Sequence, residues 1–228
     1  MKNILLIGGS HGIGEAIVNQ LAQTHSVIVA SRTKENLPAG VIHIPFDVTS
    51  DALNDPQLPE QLDGFVYCPG SINLKPIKML SEESFREDME INFFGMVRVL
   101  KSILPRMSDG SSMVLFSTVA VQTGMPFHTS VAAAKGAIEG FARSLAAEYA
   151  PKLRVNVIAP SLVDTPLAGR LLNNDTKRER MGERHPLKRV GTAEDIAKAA
   201  VYLLGTDSSW TTGQVLGVDG GLSALNLS

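Results

Sequence analysis

The run Gly8-Gly9-Ser10-His11-Gly12-Ile13-Gly14 sits between an apolar stretch, Ile4 to Ile7, and an amphipathic one in which Ile13, Ile17 and Leu21 share a helical face. A strand, a glycine-rich turn and a helix start, in that order, make an anion site. Glycines let the backbone turn tightly and come close to a ligand, and the unpaired amides and dipole at the helix start attract a diphosphate. A second apolar run, Ser26 to Ala30, leads into Ser31-Arg32. A carboxylate at that point would accept hydrogen bonds from an adenosine ribose 2′-hydroxyl. A guanidinium there attracts a 2′-phosphate instead, Ser31 can donate to it, and His11 in the turn can assist. Gly8, Ser10, His11, Gly12, Ile13 and Gly14, with Ser31 and Arg32, therefore point to NADP(H) rather than NAD(H) as cofactor.

These groups need a scaffold that gathers strand ends. Strand-like runs are Asn3 to Ile7, Ser26 to Ala30, Val41 to Ile44, Gly64 to Cys68, Ser112 to Phe116, Arg154 to Ile158 and Gln214 to Val218. Most are continuous apolar runs, as strands covered by helices on both faces must be. Between them lie helical patterns: one stripe of Phe85, Met89, Phe93, Met96 and Leu100 with Ser81 as N-cap, and another of Ile138, Phe141 and Leu145. The last helix has Thr192 and Asp195 as a capping box, Ile196, Ala200 and Leu203 as its stripe and Gly205 as its end. This alternation predicts an α/β fold, a Rossmann-type doubly wound parallel sheet of about seven strands in three layers. Residues 1–228 read as a single domain; within it Leu162 to Val190, polar and weakly periodic, reads as a lid segment on the substrate side.

Composition narrows the partners. With 44% hydrophobic and 19% charged residues, the chain can bury a substantial core, and a formal charge of -2 leaves no basic surplus for nucleic acid or an anionic membrane surface. One cysteine, Cys68, excludes an internal disulfide framework and a multi-cysteine metal site, so no metal is expected, and it fits a reducing compartment. The short apolar run at the N-terminus is no signal peptide, and no window has the roughly 20 apolar residues that a bilayer span needs. A cytoplasmic protein acting on a small molecule is the expectation.

Further landmarks follow the glycine turn: Asp47-Val48, Asn92, Ala134-Lys135-Gly136-Ala137, Asn156 to Pro160 with Thr165-Pro166, and Val218-Asp219-Gly220-Gly221. In this order the chain resembles the short-chain dehydrogenase/reductase family along almost its whole length. The resemblance implies that Asp47 and Val48 meet the adenine, that Pro69 and Gly70 lie in the cofactor-side loop after the fourth strand, and that Pro160, Val163 and Thr165 contact the nicotinamide and diphosphate. It also implies a homodimer or homotetramer packed through the helices around Phe93 and Phe141 and the C-terminal strand. Two departures fall beside the cofactor: Tyr67-Cys68-Pro69-Gly70 replaces Asn-Asn-Ala-Gly, and Pro160-Ser161 replaces Pro-Gly.

The catalytic set implied by the resemblance is Lys135, which also binds the nicotinamide ribose, with Asn92 and a hydroxyl at Thr118, Ser117 being the alternative. The family's tyrosine, four residues before the lysine, protonates the substrate oxygen, and here that position is Val131. Related enoyl reductases place their tyrosine seven residues before the lysine, where this chain has His128, either a proton donor or a loop histidine without a role. Reducing a ketone leaves an alkoxide that needs an acid at once, whereas reducing a conjugated alkene leaves an enolate that fixed donors can hold until water protonates carbon. The expected function is an NADP(H)-dependent oxidoreductase acting on an activated C=C (enone or enoyl thioester) or a carbonyl. The alternative is a catalytically impaired NADP(H)-binding protein serving as redox sensor or assembly partner.

Overall fold

The computed structural model describes residues 1–226. In chain order the elements begin with β1 (Asn3–Ile7), α1 (Gly12–Leu21), β2 (Ser26–Ser31), β3 (Ile42–Pro45) and β4 (Leu62–Tyr67). Next come α2 (Glu82–Met89), a π-helical turn at Glu90–Phe94, α3 (Gly95–Ile103), β5 (Met107–Phe116), the short α4 (Ala120–Thr123), α5 (Thr129–Tyr149) and β6 (Leu153–Pro160). The remainder is β7 (Val163–Asp164), α6 (Asp175–Glu183), β8 (Gly191–Thr192), α7 (Ala193–Leu204) and β9 (Val215–Val218).

Seven strands form one parallel sheet in the order β3-β2-β1-β4-β5-β6-β9. Strand pleating sends alternate residues to opposite faces. From β1, Leu5 and Ile7 join the core under α3 and α5 with Met96, Leu100, Ile138 and Leu145, while Ile4 and Leu6 join the core under α1 and α7 with Ile17, Leu21, Ile196 and Leu203. Each such fully buried aliphatic side chain contributes about 1.5–3 kcal/mol. Strand order reverses between β1 and β4, so the loops at their carboxyl ends diverge and open a crevice there.

The helical stripe expected from Phe85 to Leu100 is not one helix. The π turn adds a residue to the helical circuit, so the faces of α2 and α3 are out of phase: Asn92 turns inward and is fully buried, and Phe94 is exposed. Strand β5 begins at Met107 rather than Ser112, because the stretch from Ser108 to Ser111 is polar, partly exposed and offset by a register shift against β4, which an apolar pattern does not register. The edge strands β3 and β9 are half exposed, unlike the central strands. Both predicted caps form: Ser81 Oγ accepts from the Ser84 amide at 3.2 Å, and Thr192 and Asp195 make the reciprocal capping box. Inside the 162–190 segment the weak periodicity hid α6, which Asn174 caps by accepting from the Lys177 amide at 2.9 Å. The two ends of that segment are tied by β7 pairing with β8.

Candidate functional site

At the end of β1 the Gly8 amide donates to Ala30 O at 2.9 Å, and the chain turns through φ +78° at Gly8 and +57° at Gly12, a region favourable to glycine. A Cβ on Gly14 would lie 2.2 Å from the Gly8 carbonyl oxygen, so only glycine lets α1 start this close to the turn. His11 occupies the N-cap without capping the helix through its side chain, which leaves the first amides of α1 open. Ile13 is half-buried against the core under α1 and α7. The turn also receives neighbours from across the sheet: a Cβ on Gly12 would meet the Thr165 side chain at 3.3 Å, and one on Gly8 would meet the Pro69 ring at 3.3 Å.

Beyond β2, Arg32 is exposed and makes no hydrogen bond or ion pair with any described residue. Ser31 differs from its expected role. It is buried, and its hydroxyl donates to Thr33 O at 2.6 Å, so in this structure its proton is committed inward. Thr33, which the sequence reading passed over, is the hydroxyl that faces the turn, with Oγ1 3.3 Å from Ser10 Oγ; Ser10 Oγ is also 3.0 Å from His11 Nδ1. His11 Nε2 lies 3.7 Å from Glu35. Asp47 accepts from the Thr49 hydroxyl at 2.7 Å and the Thr49 amide at 2.9 Å; these bonds, with the Arg32 charge adding to them, hold its carboxyl below the ordinary carboxylate range. Only Oδ1 is used, so Oδ2 remains open. Val48 is buried, and its carbonyl accepts from Arg98.

At the other end of the crevice, Asn92 Oδ1 and Lys135 Nζ converge on Gly70, 3.4 and 3.5 Å from where a Cβ on that glycine would stand. Both residues are buried, and neither atom has a hydrogen-bond partner among the described residues. Burial brings the Lys135 ammonium down to about 8, against the opposing pull of Cys68 and Asp88. Burial likewise pushes the Cys68 thiol up to about 12, so it stays protonated and unreactive. The two candidate hydroxyls separate cleanly. Ser117 is buried and donates to Glu139 at 2.6 Å in the core, whereas Thr118 Oγ1 accepts from the Ala120 amide at 3.3 Å and keeps its own proton for another acceptor.

Tyr67 does not replace the missing phenol. Val131 lies one turn before Lys135 on α5 and is 7% exposed. The Tyr67 hydroxyl donates to Ile91 O, in the π turn, at 2.6 Å, and its burial drives its acidity far below a free phenol's. His128 stands at the N-cap of α5, where Nδ1 bonds to Pro126 O at 2.7 Å. Since that carbonyl can only accept, Nδ1 carries the hydrogen, and a neutral ring then has Nε2 as acceptor. Seven helical residues place His128 about 10 Å along the axis from Lys135.

Pro160 ends β6, Val163 is buried, and Thr165 meets the glycine turn as described. Ser161, the departure next to Pro160, accepts or donates across 2.9 Å to Nε2 of the buried His185, whose Nδ1 bonds to Met181 O at 2.9 Å. The hydroxyl thus anchors the 162–190 segment beside a cavity of about 200 Å³ lined by Ser161, Leu162, His185, Leu187 and Asp219. The sequence reading missed Asp88, Ser71, Asn73 and Ser130 as well as Thr33. Asp88 carried one signal, a carboxylate one helical turn before Asn92 on an otherwise inward face; the others carried none.

A family model described as enoyl-(acyl carrier protein) reductase matches residues 8–223. The 3-oxoacyl-(acyl-carrier-protein) reductase FabG of Thermotoga maritima is 31% identical over 241 residues, covering 97% of this chain and 97% of its own. A 2,5-dichloro-2,5-cyclohexadiene-1,4-diol dehydrogenase of Sphingobium indicum is 30% identical over 244 residues, 98% of each chain. A solved structure of a short chain dehydrogenase family protein from Francisella tularensis matches with a TM-score of 0.89 at 26% identity, covering 99% of this chain and 100% of that one.

Proposed function

From the premise that this chain belongs to the short-chain dehydrogenase/reductase family and is an oxidoreductase of that type, we propose that it uses NADP(H) and reduces an activated C=C or a carbonyl of a small molecule. The observation that carries the cofactor choice is Arg32, an exposed guanidinium directly after β2 with no hydrogen bond or ion pair of its own. With the Thr33 and Ser10 hydroxyls beside it, it suits a 2′-phosphate, and a carboxylate that would favour a ribose 2′-hydroxyl is lacking at that position. The open amides of α1 fit the diphosphate. The Asn92 oxygen and Lys135 ammonium at Gly70 fit a hydroxyl of the nicotinamide-side ribose, since one accepts and the other donates.

When bound, the nicotinamide supplies or accepts hydride. The chain's own contribution is the Thr118 hydroxyl, free to donate to a substrate oxygen, and the Lys135 charge. A fixed donor and a cation stabilise an enolate without having to release a proton, which favours an enone or enoyl thioester over a simple ketone. Residues 162–190, held at the base by β7 and β8 and at Ser161 by His185, cover the substrate side. The chain acts in this reading as one cytoplasmic domain without nucleic-acid partners. Among the described residues no helix is long and apolar enough to cross a membrane. Copies assemble as a dimer or tetramer through the Phe93–Phe141 region and the outer edge of β9, which light scattering tests.

Dissociation constants for NADPH and NADH are the direct test, and tighter NADH binding overturns the cofactor choice. A panel of enones, enoyl thioesters and ketones tests the substrate class; turnover of ketones alone overturns the preference for alkenes. Val131 favours a second reading, a dinucleotide-binding protein that senses redox state without catalysis, because Tyr67 and His128 are each tied to a backbone carbonyl instead of standing in for the tyrosine. Val131→Tyr separates the two. Gain of ketone reduction by an otherwise silent protein shows the remaining groups to be competent, and an unchanged native activity in His128→Ala removes His128 as acid.

A further inference from the structure

We propose that Asp88 is a positioning residue for the reaction end of the site: it locks the Asn92 amide with its oxygen facing Lys135, so that the pair offers an acceptor and a cation to one ligand hydroxyl beside Gly70. The proposal rests on the dinucleotide reading, that hydroxyl being one on the nicotinamide-side ribose.

The lock follows from donor and acceptor accounting. The atom of Asn92 that lies 2.7 Å from the Asp88 carbonyl must be the amide nitrogen, because a carbonyl only accepts. The same nitrogen lies 2.9 Å from Ser71 Oγ. Ser71 spends its own proton on Asp88 Oδ1, so its oxygen is left to accept from Asn92. Both amide hydrogens are thereby used, and Oδ1 is turned out toward Gly70 and Lys135, buried and without a partner among the described residues. An acceptor left unpaired in this buried setting is costly, and a ligand hydroxyl donating to it removes that cost.

Asp88 is itself fully buried and over-determined. Oδ1 accepts from Ser71 and from Asn73 Nδ2 at 2.8 Å, and Oδ2 accepts from Ser130 Oγ at 2.6 Å, in the first turn of α5. Ser130 is the neighbour of Val131, so the carboxylate ties α2, the loop after β4 and the helix that carries Lys135 to one point. Among the described residues no cation pairs with it directly. The charge it balances is the Lys135 ammonium, which it helps to keep protonated. The titratable groups acting on that ammonium are Cys68 from the end of β4 and Asp88 from α2; Glu139, one turn along α5, is engaged by Ser117 and Arg143.

The test uses the full chain and two ligands, NADPH and adenosine 2′,5′-bisphosphate, which fills only the adenosine end. Asp88→Asn should weaken NADPH about tenfold, as loss of an oriented, charge-assisted contact does. It should leave the bisphosphate affinity unchanged and move the pH inflection of NADPH binding downward, because the Lys135 ammonium loses a stabilising negative charge. Unchanged NADPH affinity and inflection overturn the proposal. Should Asp88→Asn lose bisphosphate binding through misfolding, Ser71→Ala decides. It removes the Ser71 bonds to Asn92 and to Asp88 Oδ1 but keeps the carboxylate, and should weaken NADPH about threefold with the inflection in place; NADPH affinity equal to the unaltered protein's overturns the proposal. Absence of NADPH binding by the unaltered protein removes the dinucleotide reading and this role with it, whereas binding that both variants leave intact removes the role alone.

Discussion

At the glycine turn the groups left open are backbone amides and one solvated guanidinium, whereas at Gly70 they are the buried Asn92 oxygen and the buried Lys135 ammonium, with the Asn92 amide held by the Asp88 backbone carbonyl and Ser71. The first end is set by local backbone geometry, since α1 can begin at Gly12 only because Gly14 has no Cβ to strike the Gly8 carbonyl. The second is assembled from four separate stretches of chain: the loop after β4, α2, the π turn and α5. An exposed charge feels salt, while a buried one feels proton concentration, so the two ends should fail under different conditions.

The largest effect expected is at the turn. Gly14→Val forces a side chain into backbone that cannot move aside, and should cost more than ~3 kcal/mol in urea unfolding and abolish binding of NADPH and adenosine 2′,5′-bisphosphate alike. Gly9→Ala should cost less, since the nearest atoms its Cβ would meet, at 2.9 Å, belong to the Val18 and Val29 side chains rather than to backbone. If Gly14→Val binds normally, the turn is not the ligand's seat. Next is Arg32→Ala, which should weaken NADPH by about 10–150-fold, as loss of a charge-assisted phosphate contact does, and leave NADH nearly unchanged; the NADPH advantage of the unaltered protein should also shrink as salt rises. Equal losses for both cofactors would take the 2′-phosphate away from Arg32.

The reaction end is probed by pH. Lys135 is charged below about 8 and loses its proton above it. NADPH affinity should therefore fall as pH rises through that value, by about fivefold for the change from a charged to a neutral donor. Adenosine 2′,5′-bisphosphate should show no such step, and a step shared by both ligands would erase the contrast between the two ends. The smallest effect lies outside both. Thr192→Ala breaks the capping box of α7 and should cost about 1 kcal/mol of stability in denaturant titration without altering either affinity.

The contrast also explains what was legible. The glycine turn, the sheet and the caps at Ser81 and Thr192 could be read because each is a local pattern of a few neighbouring residues. Ser31 and Thr33 show the limit, for both are hydroxyls beside Arg32, and only the inward bond of Ser31 to Thr33 O separates them. The choice between Ser117 and Thr118 was equally closed to sequence until Glu139, a turn beyond Lys135 on α5, was seen to hold Ser117. The broken helix at Asn92 was hidden because a π turn changes the phase of an apolar stripe without changing its composition.

By itself the sequence determined the alternation of strands and helices, the glycine-rich strand-to-helix turn and the absence of a tyrosine at position 131, all properties of neighbouring residues. Only the tertiary structure decided that Asp88, Ser71, Asn73 and Ser130 meet, that the Asn92 oxygen and the Lys135 ammonium both approach Gly70, and that Tyr67 is tied to Ile91. Those contacts join residues far apart along the chain, and the orientation of a buried amide or hydroxyl is fixed by whichever donors and acceptors folding brings within reach.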